Sequence, residues 1–167
     1  IDGLPAGPIS HPGDAALHHY ACWFRLHAED FKRATLYGKG TDWPVAYDDL
    51  RPYYDAVQDE IGISGDAVQE VWRPPGAPYP MPAQPIFRQG EIIAAGFAKL
   101  GERTAPLPMA INAIAYKGRP ACLQDGWCDA GCPTGALANP IVIFGKAMRD
   151  AGVETICDAT VSRVLVT

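Results

Sequence analysis

Proline placement sets the first limit on what this chain can fold into. The 167 residues include 16 prolines and 17 glycines, gathered in the stretches 1–13, 72–85, 104–108 and 118–135. Proline removes a backbone donor and fixes φ, so these stretches cannot form interior helix or central strand. Irregular segments of that length in a compact domain are usually functional or wrap another domain. Regular structure is confined to the gaps between them.

Three helices are expected in those gaps. Arg51-Pro52 opens the first, with proline at the first helical position and Tyr53, Val57 and Ile61 on one face, stopping at Gly62 or Ser64-Gly65. Gly90 to Leu100 reads as the second, with Ile92, Ile93, Phe97 and Leu100 apolar and Gly101 as its C-cap. Asn139 caps the third, Pro140 starts it, Ile143, Phe144, Ala147 and Met148 give it an inner face, and Gly152 ends it. Residues 106–117 have room for one short strand. The β-branched tail from Glu154 to Val166 reads as strand–turn–strand or two collinear strand pieces. The expected class is α+β and loop-rich.

The composition is globular, with 48% apolar and 20% charged residues. A net charge of −5 without a basic stripe argues against a nucleic-acid partner. No apolar run approaches the roughly 18 residues of a membrane-spanning helix. The chain starts at Ile1-Asp2-Gly3 without a charged-then-apolar leader, as if cut from something longer.

Five cysteines, an odd number, do not suggest a fully paired disulfide framework. Cys22 and Cys157 lie in apolar surroundings, while Cys122, Cys128 and Cys132 fall within one glycine-rich loop spaced C-x5-C-x3-C-P. Bacterial ferredoxins use C-x2-C-x2-C-x3-C-P. Deleting the second cysteine of that run gives the present spacing, with Asp125 at the vacated position. Thiolates are soft ligands suited to iron–sulfur clusters, and a cubane lacking one iron takes three protein ligands. Gly126 and Gly131 allow the backbone to turn its N–H groups toward cluster sulfides. A disulfide between two of the three, or a zinc site completed by a more distant ligand, are the competing readings. Asp125 is either a ligand to a fourth iron or a solvated loop acid. Trp127 either shields the cluster or simply packs. His18 and His19 are adjacent, so they face different ways and make poor co-ligands. Asp48 and Asp49 favour a helix start through the dipole, and Tyr53 and Tyr54 read as packing residues.

Four stretches carry a likeness to a known family. They are Asp30-Phe31 through Gly38-Lys39-Gly40-Thr41-Asp42-Trp43-Pro44; Tyr47-Asp48-Asp49-Leu50-Arg51-Pro52-Tyr53-Tyr54 with Glu60-Ile61-Gly62; Pro78-Tyr79-Pro80-Met81-Pro82; and Gly118-Arg119-Pro120 through Cys132-Pro133-Thr134-Gly135-Ala136. From about residue 13 to its end, the chain resembles the glucose–methanol–choline (GMC) flavoprotein oxidoreductases, in their cluster-containing bacterial sugar dehydrogenase branch.

That resemblance implies an internal segment of an FAD-dependent catalytic subunit. No G-x-G-x-x-G fingerprint and no distal catalytic histidine match are present, so no catalytic residue is expected here. The implied division is 1–45 flavin lid and linker, 46–117 substrate-domain part with two helices, 118–136 cluster loop, and 137–167 helix and strand returning to the FAD domain. Gly13 and His18 sit where the family packs a turn over the flavin, although Asp14 and two alanines replace the second glycine and the hydroxyl residues. Val161 resembles the strand whose backbone meets the adenine, and Asn139 borders the site. The implied metal site is Cys122, Cys128 and Cys132, holding a 3Fe-4S cluster. The implied substrate is a sugar or polyol. The implied partners are a cytochrome c-type electron acceptor, a small chaperone-like subunit and the remainder of the flavoprotein chain, in the periplasm or on the outer side of the inner membrane.

Overall fold

The computed structural model describes residues 19–128, 130–156, 159 and 161–165. A 3₁₀ turn, Ala28–Lys32, runs into the short helix α1, Arg33–Tyr37. Three longer helices follow: α2, Tyr47–Ile61; α3, Arg88–Lys99; and α4, Pro140–Asp150. Among the described residues, β-pairing is limited to isolated bridges. None of the helices is long and apolar enough to cross a membrane.

The bridges converge on one extended segment, 108–112. Ala110 donates to the Ala21 carbonyl at 2.7 Å, and Trp23 donates to Pro108 at 2.9 Å. Met109 and Ser64 exchange both backbone bonds, at 2.8 and 2.9 Å. Ala138 donates to Ala110 at 2.8 Å and Asn112 to Ala136 at 3.0 Å. The expected short strand in 106–117 is therefore a crossing point that satisfies buried backbone groups from several directions. Ala21, Ile63, Ala110, Ile111, Leu137 and Ala138 pack around it as the core.

The helix ends follow from local chemistry. α2 starts four residues before the expected Arg51, because the Asp49 carboxylate accepts the Ala46 N–H at 2.8 Å and closes the first turn. Pro52 then lies inside the helix, and the Asp48 carbonyl lacks its usual helical donor. Asn139 caps α4 as expected, its side chain accepting the Val142 N–H at 2.9 Å. Both α3 and α4 close in Schellman turns. Glu102 donates to Phe97 and Gly101 to Ala98; Val153 donates to Met148 and Gly152 to Arg149. The apolar faces predicted for α3 and α4 exist, but neither helix has a buried residue. The described tail residues 153–156, 159 and 161–165 carry no strand.

Much of the remaining order is polar. The Asp42 carboxylate caps α1 from outside, accepting the N–H groups of Ala34 at 2.8 Å and Thr35 at 3.1 Å. Trp43 donates its N–H to Phe31 at 2.9 Å and packs edge-on against that buried ring. Arg25 is buried, with 5% of its surface exposed. Its guanidinium donates to Tyr47 at 3.1 Å, Asp55 at 2.6 Å and Gln58 at 2.8 Å, and lies over the Tyr54 ring. Gln58 and Asp55 in turn hold the Pro-rich segment, through Pro78 at 2.9 Å and the Ala77 N–H at 2.8 Å. Tyr53, expected to pack, is exposed.

Burial raises the pKa of Asp55, but hydrogen bonds from Arg25 and the Ala77 N–H outweigh it, leaving the carboxyl below the usual aspartate range. A depressed folded pKa contributes stability above the unfolded value of about 3.9, and that contribution is lost as pH falls through the folded value. Asp55→Asn leaves the Arg25 charge buried without its counter-ion. It is expected to destabilise by about 2–3 kcal/mol at pH 7, the low end for a broken buried pair because Asp55 is partly exposed. Denaturant titrations at pH 7 and pH 3 should show the gap to wild type shrinking in acid. A gap independent of pH would refute the ion-pair account.

Candidate metal centre

The cysteine loop hangs from the same crossing segment. Cys122 donates its N–H to the Asn112 carbonyl at 2.9 Å. Asn112 is fully buried, and its side-chain N–H₂ gathers the carbonyls of Tyr116, Arg119 and Pro120 at 3.4, 3.1 and 3.2 Å. Tyr116 and Arg119 exchange backbone bonds around a tight turn with Lys117 at φ 45° and Gly118 at φ 78°. Two consecutive positive φ values define a type I′ turn, which glycine at the second position favours. The Gly118-Arg119-Pro120 motif thus reverses the chain and delivers it to Cys122.

Arg119 fixes the other end of the loop. Its guanidinium donates to the Ala136 carbonyl at 3.1 Å, to Gly135 at 3.4 Å, and to Ile61 at the end of α2. Burial lowers its pKa, partly offset by attraction to Cys132. One side chain therefore ties the exit of the loop to a helix C-terminus, where carbonyls are in excess.

All three loop cysteines are half-buried and pack against the one core. Cys122 and Cys132 are thiols, so no disulfide joins any two of the three. The Cys132 sulfur sits 3.4 Å from the Thr134 hydroxyl. Burial raises its pKa, but hydrogen bonds from that hydroxyl and from the N–H groups of Leu137, Thr134 and Gly135 bring it below the ordinary thiol value. Cys122 Sγ accepts the Gln124 N–H at 3.3 Å. Donors aimed at sulfur are the environment a thiolate ligand needs. Among the described residues, no three His, Cys, Asp or Glu side chains converge as a ready ligand group. The residue type is one a thiophilic cluster takes, but the described residues do not gather these sulfurs into a ligand set. The loop between the cysteines turns on Gln124, Gly126 and Gly131, all at positive φ, and a Cβ at either glycine would meet nothing.

The other expected site residues scatter. Gly13, His18 and Cys157 lie outside the described residues. Cys22 is exposed rather than sheltered. Asp125 accepts the Trp127 N–H at 3.3 Å as a solvated turn residue, and Trp127 itself is exposed. His19 accepts the Ala21 N–H on Nδ1 at 3.1 Å, so Nε2 carries the proton donated to Ala138 at 2.9 Å. It is a satisfied structural histidine. Asn139 spends its side-chain oxygen on its helix cap, and Val161 is 81% exposed. Among the described residues, cavities flank the core. One of about 490 Å³ has Cys122 and Cys128 in its wall beside Met109, Ile93 and Phe87. Another, of about 270 Å³, lies between Trp23, His19, Asn139 and Phe144. Sequence reasoning missed Arg25, Gln58 and Asn112, which are buried and polar. A lone arginine between Phe24 and Leu26 was the available signal for the first.

No protein-family model matches the chain. Over 93% of its length it is 33% identical to the fructose dehydrogenase large subunit of Gluconobacter japonicus, covering 29% of that protein. It is 33% identical over 81% of its length to the 6'''-hydroxyparomomycin C oxidase of Streptomyces lividus, and 33% identical over 79% to the 2-methyl-1,2-propanediol dehydrogenase of Mycolicibacterium austroafricanum, covering 25% and 24% of those proteins. The chain thus spans less than a third of each of these relatives. By name these proteins are oxidoreductases, two of them dehydrogenases and one an oxidase.

Gly62, at the end of α2, has φ 81°, and an added Cβ would lie 2.7 Å from the Tyr116 ring and 3.1 Å from Arg119. Gly62→Ala should destabilise by about 2 kcal/mol or more, combining left-handed strain with overpacking. It should also speed alkylation of Cys132, read by peptide mass spectrometry. Unchanged stability and labelling would show that the clamp does not govern the loop.

Proposed function

We propose that this chain is a segment of a GMC-type, FAD-dependent dehydrogenase that oxidises a hydroxyl of a sugar or polyol. The observation that carries the reading is the likeness to the fructose dehydrogenase large subunit over 93% of the chain. Too few residues are left uncovered for the loop at 122–132 to fall outside that match. The uncovered apolar faces of α3 and α4 support the segment reading, because amphipathic helices owe most of their stability to what covers them.

In this reading Cys122, Cys128 and Cys132 hold an iron–sulfur cluster, with three irons as the natural count for three thiolates. When bound, such a cluster supplies one-electron transfer, which a flavin passing electrons to a haem requires. The chain's own contribution is to orient and anchor. Asn112 and Arg119 fix the two ends of the loop, and the N–H and O–H donors around Cys132 favour its thiolate. A cytochrome c-type acceptor, a small chaperone-like subunit and a location in the periplasm or on the outer side of the inner membrane belong to the same proposal. Hydroxyl oxidation itself is assigned to residues outside this segment.

Cys128→Ser in the full-length subunit tests this. The variant should lose cluster absorption and cut electron transfer to the cytochrome by at least about tenfold, while reduction of the flavin by substrate is retained. Iron content equal to that of wild type would contradict the ligand assignment.

A further inference from the structure

The larger cavity, of about 490 Å³, falls within the size range of small-molecule sites. Although 20% of the chain's residues are charged, the described residues of its wall include no charged side chain and no histidine. Ile86, Phe87 and Ile93, at the start of α3, join Leu107, Met109 and Ile111 in supplying its apolar surface. The first three are each more than half exposed, so apolar area stands open there. Two of the few polar side chains in the wall, Gln84 and Gln124, are fixed in direction. The Ile111 carbonyl can only accept, so the Gln84 N–H₂ faces it and donates at 2.8 Å. Gln84 Oε1 then faces Gln124, whose N–H₂ donates to it at 2.9 Å. This relay of amides leaves Gln124 Oε1 as an acceptor in the cavity wall.

We propose that this cavity binds an uncharged, mainly apolar small molecule whose hydroxyl or N–H group donates to Gln124 Oε1. A charged ligand would shed its hydration here without meeting a counter-charge, which is costly. A wholly apolar one would leave the glutamine carbonyl without a partner. Gln124 holds its place at φ 59°, a left-handed backbone that residues other than glycine seldom adopt. Strain of that kind persists where neighbouring contacts over-determine it, and it clusters at ligand sites. Here the Cys122 sulfur accepts the Gln124 N–H at 3.3 Å, and the Gln84 amide holds the side chain. The binding requires neither a cluster nor a flavin.

Equilibrium dialysis of the full-length subunit against 2-naphthol, naphthalene and 2-naphthalenesulfonate tests this. Wild type should bind 2-naphthol saturably at one site per chain, and the sulfonate at least about tenfold more weakly. Ile93→Glu, on an exposed helix face, places a carboxylate in the wall and should abolish binding of 2-naphthol. Gln124→Gly keeps the backbone conformation and removes the acceptor. It should weaken 2-naphthol by roughly two- to tenfold, as loss of one hydrogen bond does, and leave naphthalene unchanged. Absence of saturable 2-naphthol binding overturns the proposal, the cavity then being filled by another part of the subunit. Equal affinity for the sulfonate, or unchanged 2-naphthol affinity in either variant, overturns it as well.

Discussion

Backbone pairing along residues 108–112 is the constraint on which the rest of the structure depends. A chain this rich in proline cannot build an extended sheet, yet its buried N–H and C=O groups still need partners. One short segment answers for several others. It binds 21–23 and Ser64, then 136–138, and finally the entry to the cysteine loop at Cys122. The small core of Ile63, Ile111, Leu137 and three alanines closes over that crossing. Buried polar side chains extend the same economy outward, with Arg25, Gln58 and Asn112 each satisfying several main-chain or side-chain groups at once.

Three of the four stretches that carry the family likeness turn out to be scaffolding. In the first, Asp42 caps α1 and Trp43 clasps Phe31. In the second, Asp49 closes the first turn of α2 and Tyr47 anchors Arg25. In the third, Met81 is buried and Tyr79 donates to the buried Glu70 at 2.6 Å. Burial and that carboxylate together raise the Tyr79 pKa well above its usual value. Only the fourth stretch exposes chemistry, and even there Gly118 and Arg119 serve the geometry of the loop.

This division explains what was legible in the sequence. Caps and stops were, because they are local: Asn139-Pro140, Gly62, Gly101 and Gly152 fall where expected. The start of α2 was misread because proline at a first helical position is a common signal, whereas Asp49 closing the turn on Ala46 is a weaker one. The crossing at 108–112 was not legible, since its partners are distant in sequence and its side chains carry no alternation. The cysteines stood out in the sequence as candidate ligands by spacing and residue type. Their common footing on one core was not legible, because it depends on Arg119 meeting Ile61 far along the chain, whereas the Thr134 hydroxyl beside Cys132 is a local contact.

In the proposed reading, a proline-framed core presents three sulfur atoms to iron. Quantifying iron and acid-labile sulfide in anaerobically purified full-length protein tests that most directly. About three irons and four sulfides per chain are predicted for a cubane lacking one iron. Protein that is folded and binds flavin, yet contains neither iron nor sulfide, would contradict it.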